Sequence, residues 1–388
     1  MLESNNIFKY ATKELTQDAF LCWSINWLNE SEEHPLYNYG KEMLDLFLGE
    51  DKQEKYCDVQ VLTQYEKIDV LVMFKDISGK SHGLIIEDKT NTSEHDNQIN
   101  VYKDKLNKKL ENEDCLKEYS IHLAYVKTGI MYDKDMRIID KGATVVDLDK
   151  LLEVVARYEG QGKSEILSDF YVYINDIWNY RNNIKENIDN SEYEEAIGDR
   201  FGQFYFLDKL FSDRNMSEND NIYAGTNRGG TPWTEYVFWR DIYPSKDVNE
   251  IGNEQHSLFW RVDRKWDKKE KKHRSYIALR HYDYHAHSGE QYFNERKKFV
   301  YRKFRALADK IAEEHPEYFA EIGVRENYKE SDLLFIYIDK ISHMNLDEIS
   351  EFLNEITKMF IKECDSLYDG MEEALKDYMC FRVSHLVH

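Results

Sequence analysis

The chain has 388 residues, 41% of them hydrophobic, and a formal net charge of −22. This length predicts two domains or one large elaborated domain, and the apolar content excludes a disordered or fibrous protein. No apolar run approaches the roughly 18–20 residues of a membrane-spanning helix, and the first residues lack a secretory-signal pattern. Five scattered cysteines without a CxxC pair argue against a zinc ribbon or a disulfide framework, so we expect a cytoplasmic protein.

The negative charge is distributed unevenly along the chain. Residues 261–305 contain fifteen Lys and Arg against six Asp and Glu, a balance of +9, so the remainder carries −22 − 9 = −31. Proteins gain much of their affinity for nucleic acid when Lys and Arg side chains neutralise phosphates. A basic segment on an acidic protein therefore fits a nucleic-acid substrate that is approached from one side. A solvated, charge-rich surface is the alternative interpretation.

The first 160 residues predict alternating helices and strands. Apolar side chains recur at helical spacing behind Thr16 and again over residues 40–48. A capping-box pattern at Ser93 and Asp96 predicts the start of a further helix. Short apolar runs predict strands at residues 59–63, 68–74, 83–86, 121–126 and from 145. This order predicts an α/β protein: a core with a mixed central sheet flanked by helices.

The remainder predicts connecting helices and then an α+β domain. Two long helices are expected at residues 166–184 and 193–210, and a basic helix at 296–305. The glycine-rich residues 225–230 predict a flexible loop, and residues 267–274 a charged loop. Strands are expected at residues 233–239, 258–266, 276–284 and 333–338. The predicted organisation is a core at 1–160, connecting helices at 161–215 and a C-terminal α+β domain at 216–388.

Asp69, Glu87 and Lys89, spaced as Asp-x₁₇-Glu-x-Lys, are the candidate catalytic residues. In a strand, residues two apart share a face, so Glu87 and Lys89 project together while Asp88 faces away, and a hairpin would bring Asp69 beside them. Carboxylate oxygens bind Mg²⁺, which polarises a phosphoryl oxygen, and a lysine nearby orients water or offsets charge. The set suits hydrolysis of a phosphodiester. An exposed cross-strand pair of Glu87 and Lys89 is the structural alternative.

Several short segments resemble the PD-(D/E)XK nuclease superfamily. Residues 68–72 followed by 84–89 look like its core hairpin, and residues 97–102 are similar to the Gln-x₃-Tyr element of its RecB-like branch. Residues 121–129 look like the next strand, and residues 14–20 resemble the opening helix of a bacterial subgroup, here with a C-terminal extension. The resemblance covers roughly residues 10–155 and implies a restriction-endonuclease-like core.

The resemblance implies roles for individual residues. The metal, Mg²⁺ or Mn²⁺, would be held by Asp69 and Glu87, with Lys89 catalytic. The side chains of Gln98 and Tyr102, four apart on one helix face, would position the site or the scissile phosphate. Many relatives add an acid from the first helix, for which Asp18 and Glu14 are the candidates. The superfamily's proline is replaced here by Ile68.

Two further patterns lie in the second half. The side chains of His281, Asp283, His285 and His287 alternate and could bind a transition metal on one strand face, but an exposed polar face with the intervening tyrosines turned inward is the favoured interpretation. Basic residues interleaved with aromatics are typical of nucleic-acid contacts. The residues predicted to make such contacts are Arg261, Arg264, Lys265, Lys271, Lys272, Arg274, Arg296 and Arg302.

The sequence therefore predicts a metal-dependent deoxyribonuclease, and the resemblance favours a role in defence against foreign DNA. Two alternatives stay open: an RNA nuclease that uses the same site, and a catalytically inactive binding or regulatory protein on a nuclease fold. The expected partner is DNA or RNA and no membrane, with a protein partner or a second copy of the chain also open. One fold hosts many functions, so the fold alone does not choose between them.

Overall fold

The computed structural model describes residues 6–10, 14–90, 98–113, 119–215, 221–242, 254–268, 270–283, 291–319 and 330–379. The chain divides into two compact units, Met1–Asn182 and Asn183–His388, and the division falls inside one long helix. None of the described helices is long and apolar enough to cross a membrane. The capping-box residues Ser93 and Asp96 lie outside the described residues.

The first unit contains a sheet and its covering helices. Its strands are β1 (Cys57–Tyr65), β2 (Ile68–Lys75), β3 (Ser81–Lys89), β4 (Tyr119–Lys127) and β5 (Thr144–Asp147). Its helices are α1 (Glu14–Asn26), α2 (Tyr37–Leu48), α3 (Gln98–Glu113), α4 (Asp133–Met136), α5 (Leu148–Tyr158) and the start of α6 (Glu165–Asp189).

In the described residues the sheet of the first unit has five strands in the order β1-β2-β3-β4-β5. The first three strands are antiparallel, while β4 and β5 run parallel to β3. The predicted α/β class with a mixed sheet is therefore confirmed. Parallel neighbours need a crossover connection, and residues 90–118, which include α3, supply it between β3 and β4.

Both faces of this sheet are buried, which explains why β2 and β3 are apolar almost throughout. One face carries Val70, Val72 and Ile86, which pack in a cluster with residues of α1, α2, α5 and α6. The opposite face packs in a second cluster with Tyr102 and other apolar residues of α3. Polar side chains at the strand ends can therefore face either α1, α2, α5 and α6 on one side of the sheet or α3 on the other.

The second unit is built on an antiparallel sheet. Its strands are β6 (Asn221–Thr226), β7 (Pro232–Ile242), β8 (Glu254–Asp267), β9 (Lys272–Asp283) and β10 (Glu330–Tyr337). Their order in the sheet is β10-β9-β8-β7-β6. Its helices, besides the end of α6, are α7 (Tyr193–Ala196), α8 (Arg200–Leu210), α9 (Gln291–Glu314), α10 (Ile338–Ile341), α11 (Leu346–Cys364) and α12 (Met371–Met379).

Helices α8, α9 and α11 pack against one face of this sheet. Trp260 of β8 donates a 2.8 Å hydrogen bond to Thr357 of α11, and His281 of β9 lies against Phe304 of α9. Alternate residues of β8 and β9 therefore point away from these helices. That opposite face carries charged and aromatic side chains, and we call it the polar face of the second sheet.

Four sequence predictions in the second half are wrong in whole or in part. Residues 225 and 226 belong to β6, and a Cβ on Gly225 would come within 2.2 Å of the Trp233 ring, so this glycine permits close packing. Residues 272–274 belong to β9, so the predicted charged loop is shorter. The predicted helix at 193–210 is interrupted between α7 and α8. His281 and Asp283 are buried, while Tyr282 is half-buried.

His281 is buried although the sequence predicted it to be exposed, and the cause is simple. The helical layer covers the face that His281 shares with Ile277 and Leu279, so the histidine follows these two apolar neighbours into the core. His285 and His287 lie outside the described residues.

Candidate active site at the ends of β2 and β3

Three ionisable side chains converge where β2 begins and β3 ends. The Lys89 ammonium lies 2.5 Å from Glu87 Oε1 and 3.6 Å from Asp69 Oδ2. Glu87 and Lys89 are two residues apart in β3 and project from the same face. The antiparallel register, in which Val70 is opposite Ile86, brings Asp69 level with them. The structure thus brings together the three residues that the sequence singled out.

Asp88 points to the opposite face, where α1 packs. Its side chain is fully buried, and its Oδ1 accepts a 2.6 Å hydrogen bond from the Gln17 amide. Gln17 accepts a 2.9 Å hydrogen bond from the hydroxyl of Thr128, the residue after β4. The backbone N–H of Asp88 donates to Asp69 Oδ2 at 3.2 Å. Asp88 therefore joins α1, β2, β3 and the end of β4 in one polar network.

Asp18 adds a fourth carboxyl group, from α1. It is 3% exposed, and its Oδ2 accepts a 3.3 Å hydrogen bond from the Gln64 amide. The same amide donates to Asp69 Oδ1 at 3.4 Å, so Gln64 bridges two carboxyl groups. Among the described residues, Asp18 Oδ1 and Asp88 Oδ2 are buried without a hydrogen-bond partner. Buried oxygens in this state are costly unless a proton or a cation is shared with them.

The electrostatics of the cluster reflect its surplus of acids. Burial, assisted by the negative charge of Asp69, raises the pKa of Asp18 from its ordinary 3.8 to about 7. Burial and the charge of Asp18 raise the pKa of Asp88 well above its ordinary range. Burial lowers the pKa of Lys89, but the hydrogen bond and charge of Glu87 outweigh it and leave that pKa raised. The lysine is therefore held charged beside Glu87, whereas Asp18 and Asp88 resist ionisation.

The neighbouring strand β4 ends in a second buried lysine. Lys127 is opposite Lys89 in the parallel register, is fully buried and lies 2.5 Å from Asp135 Oδ2. Tyr125 donates a 2.7 Å hydrogen bond to the other oxygen of Asp135. Burial lowers the pKa of Lys127, and the charge of Asp135 opposes this effect. This pair fixes the end of β4 beside the cluster.

The remaining predicted site residues lie around this cluster or apart from it. Glu14 Oε1 accepts a 3.3 Å hydrogen bond from the backbone N–H of Thr90, so both candidate acids of α1 reach the end of β3. Tyr102 is buried in the apolar cluster beneath α3. Gln98 begins α3, and its side chain lies outside the described residues.

The oxygen donors of the cluster suit a hard divalent cation such as Mg²⁺ or Mn²⁺. The buried carboxyl oxygens Asp18 Oδ1 and Asp88 Oδ2 are donors of the type that such a cation binds, although the two neighbouring carboxyl groups can also share a proton. Over the described part of the chain, no group of three or more His, Cys, Asp or Glu side chains is arranged so that it could hold a metal ion. The Lys89 ammonium lies between Asp69 and Glu87, so a cation would compete with it.

Several basic residues predicted to contact nucleic acid have internal partners. Arg261 is buried and forms ion pairs with Glu235 at 3.0 Å and Asp263 at 2.8 Å. Arg274 is paired with carboxylates as well, and Arg296 is buried. The predicted residues that are exposed or half-buried are Arg264, Lys265, Lys271, Lys272, Arg274 and Arg302.

Sequence reasoning missed the residues that hold the acids in place. Gln17, Gln64, Asp88 and Thr128 connect the carboxyl groups to one another and to their strands. The φ angle of Gln64 is 52°, in the left-handed region that costs a residue with a side chain. The available signal was the pair Gln17 and Asp18, two polar residues on the α1 face that the sheet buries.

No family model, no curated protein and no solved structure matches this chain. What the protein does must therefore be inferred from the chemistry of its residues and from the motif resemblance in the first unit.

Proposed function

We propose that this chain is a metal-dependent nuclease of the PD-(D/E)XK type that hydrolyses DNA phosphodiester bonds. One observation carries the proposal. A buried lysine ammonium lies between two carboxylates, those of Asp69 and Glu87, at the polar end of an otherwise apolar strand pair. Lysine and carboxylates are rarely buried, and ionisable groups gathered at a strand end favour a functional site over a structural one.

The proposed roles follow from the contacts. Asp69 and Glu87 would hold the divalent cation, and that cation would supply Lewis-acid polarisation of a phosphoryl oxygen. Lys89 keeps its proton beside them, so it would orient the attacking water and offset negative charge that develops at the phosphorus. Gln64 fixes the carboxylate of Asp69, and Gln17 fixes that of Asp88, so the acids are held before substrate arrives.

A cleavage assay tests the proposal. Supercoiled, linear and single-stranded DNA, and RNA of matched length, are incubated with the full chain in Mg²⁺, in Mn²⁺ and in EDTA. We expect metal-dependent cleavage of DNA. Glu87→Gln and Lys89→Met should each reduce the rate by roughly 10²- to 10³-fold, because each removes a charge that the transition state needs.

The matched control for the lysine is Lys75→Met, which removes an exposed ion pair with Asp58 at the other end of β2. This variant should cleave at the wild-type rate. Circular dichroism checks that all the variants are folded. Undiminished cleavage by both the Glu87→Gln and Lys89→Met variants, or undiminished cleavage in EDTA, would contradict the proposal. Faster cleavage of RNA than of DNA would assign the same site to an RNA nuclease.

A non-catalytic binding protein on the same scaffold is the second candidate. The position of Lys89 favours it, because the ammonium already neutralises the two carboxylates that would hold a metal. Calorimetric titration with Mg²⁺ and Mn²⁺ separates the two candidates. Absence of heat at millimolar metal, together with absence of cleavage, would support the binding protein.

A further inference from the structure

Three aromatic rings meet on the polar face of the second sheet. Tyr276 of β9 stacks on Phe335 of β10 with ring centroids 4.5 Å apart, and Tyr337 meets Phe335 edge-on at 4.9 Å. The register places Tyr337 directly opposite Tyr276, so the three rings are contiguous across two strands, with Tyr276 and Phe335 buried and Tyr337 half-buried at the edge. We call these three residues the ring cluster.

Two cations lie on the faces of the ring cluster. The Lys265 ammonium is 3.9 Å from the centroid of Phe335 and within 5.5 Å of the two tyrosine rings, and Arg274 Cζ is 3.6 Å from the Tyr337 centroid. Arg274 is also held by two carboxylates. Lys265 is exposed, and no carboxylate of the described residues lies within ion-pair distance of its ammonium. Its contacts with the rings are therefore the ones that a ligand could displace.

The surroundings of the ring cluster are strongly basic. Residues 264–274, which contain the turn between β8 and β9, carry seven Lys and Arg against two Asp and Glu, in a chain whose net charge is −22. Trp266 is 53% exposed on the other side of this hairpin, where its ring meets His273 edge-on at 5.2 Å. Aromatic rings among lysines, in a segment with a surplus of positive charge, suit a polyanion with flat faces.

We propose that the ring cluster and Lys265 bind single-stranded nucleic acid through unpaired bases. A base would stack on the rings in place of the Lys265 ammonium, and the displaced ammonium would pair with a phosphate. Stacking of a base on an aromatic ring is stronger than an exposed cation–π contact, so the exchange is favourable. The inference rests on the proposed function only in taking nucleic acid as the ligand, and it adds a preference for unpaired strands.

Discrimination against duplexes follows from access to the base faces. In a duplex the faces are stacked on neighbouring pairs, so only the attraction of Lys265, Lys271 and Lys272 for phosphates remains. DNA and RNA share the stacking chemistry, and the ring cluster alone does not choose between them.

Fluorescence anisotropy tests the inference without cleavage. The full-length Glu87→Gln protein in EDTA is titrated into labelled single-stranded DNA, RNA of the same sequence, and the DNA duplex, at several salt concentrations. We expect single strands to bind about tenfold more tightly than the duplex. Tyr337→Leu and Phe335→Leu should each weaken single-strand binding by about tenfold and leave duplex binding nearly unchanged. Lys265→Met should weaken binding severalfold and reduce the salt slope by about one.

Matched controls come from exposed positions elsewhere. Tyr10→Leu removes a ring that is 80% exposed, and Lys310→Met removes an exposed lysine of α9. Both should bind single strands as the parent does. Phe335 is buried, so its variant is checked by circular dichroism, and the half-buried Tyr337 supplies the decisive variant if Phe335→Leu fails to fold.

Equal losses for single strands and duplex, or unchanged binding by Tyr337→Leu, would overturn the inference. So would the absence of any nucleic-acid binding by the parent. The two proposals fail separately. Metal-dependent cleavage, with no effect of Tyr337→Leu on single-strand binding, would contradict only the proposed binding site. Strand-selective binding without cleavage would contradict only the proposed nuclease activity.

Discussion

Two buried polar networks, one in each unit, balance their charges differently. In the second unit, Arg261 faces Glu235 and Asp263, and its guanidinium also donates a 2.9 Å hydrogen bond to Asn227. In the first unit, the ammonium of Lys89 lies beside the carboxylates of Asp69 and Glu87, while the buried carboxyl groups of Asp18 and Asp88 on the α1 side of the sheet have no cation within ion-pair distance among the described residues. A guanidinium offers five donors in a fixed plane, whereas an ammonium offers three.

The difference separates a structural network from a candidate site. The guanidinium of Arg261 donates to both carboxylates beside it, so each buried acid has a charged partner, which is what a stable interior requires. The cluster around Lys89 instead leaves acids that must keep a proton, at a pKa of about 7 for Asp18. Such acids are costly to bury, which agrees with the cation-binding role proposed for the cluster.

Loss of Arg261 should have the largest effect on stability. Arg261→Met leaves the carboxylates of Glu235 and Asp263 buried without their cation, and we expect the free energy of unfolding to fall by about 3–5 kcal/mol. Urea unfolding followed by circular dichroism measures it. The control is Lys310→Met, which breaks a helical ion pair with the exposed Glu314 and should cost at most about 1 kcal/mol. Similar losses in both variants would remove the contrast between the two networks.

Addition of Mg²⁺ should stabilise the folded protein if the cation binds the carboxyl groups near Lys89. At a hundredfold excess over its dissociation constant, a ligand of the folded state raises the free energy of unfolding by about 2–3 kcal/mol. We expect this rise in the wild type and its loss in Asp69→Asn, measured by urea unfolding against NaCl of equal ionic strength. An equal rise in both proteins would place the bound metal elsewhere.

Acidification should weaken the second unit through His281. Burial lowers the pKa of this imidazole from its ordinary 6.5 to about 3, and the charge of Lys297 contributes. Between these values the unfolded chain binds a proton that the folded chain excludes, so the free energy of unfolding falls as the pH falls below about 6.5. We expect a loss of about 1 kcal/mol between about pH 7 and about pH 5.5.

The comparison for His281 is His281→Gln, which has no titrating ring. Urea unfolding at both pH values should show a smaller loss in this variant than in the wild type. The same pH dependence in both would mean that other groups cause it.

Much of the first unit could be predicted from the sequence. The strands around Asp69 and Glu87 are apolar on both faces and bounded by a turn, and the two-residue spacing determines that Glu87 and Lys89 share a face. The partners of Asp88 could not be predicted, because Gln17 and Thr128 lie 71 and 40 residues away along the chain and meet it only through packing.

The second unit was predicted less well, for physical reasons that can be named. Gly225 and its neighbours have the composition of a loop, yet the glycine lies in β6 because the Trp233 ring fills the space of a side chain. The ring cluster depends on the register of β10 against β9, which no local pattern specifies. The spacing of residues along the chain therefore predicted helices and strands. The side chains that meet at the candidate sites depend on contacts between distant elements.

The antiparallel pairing of β2 with β3 has a consequence for how the protein folds. Asp69 and Lys89 are close in sequence, so a hairpin that closes a short loop brings them together at low entropic cost. Gln17 and Asp18 arrive only when α1 packs on the sheet, and Thr128 arrives only after the crossover to β4. Contacts between residues close in sequence lose less entropy when they form, so we expect the hairpin to form before these distant contacts. An intermediate with the hairpin alone would hold the acids of β2 and β3 without the amide that Gln17 supplies to Asp88.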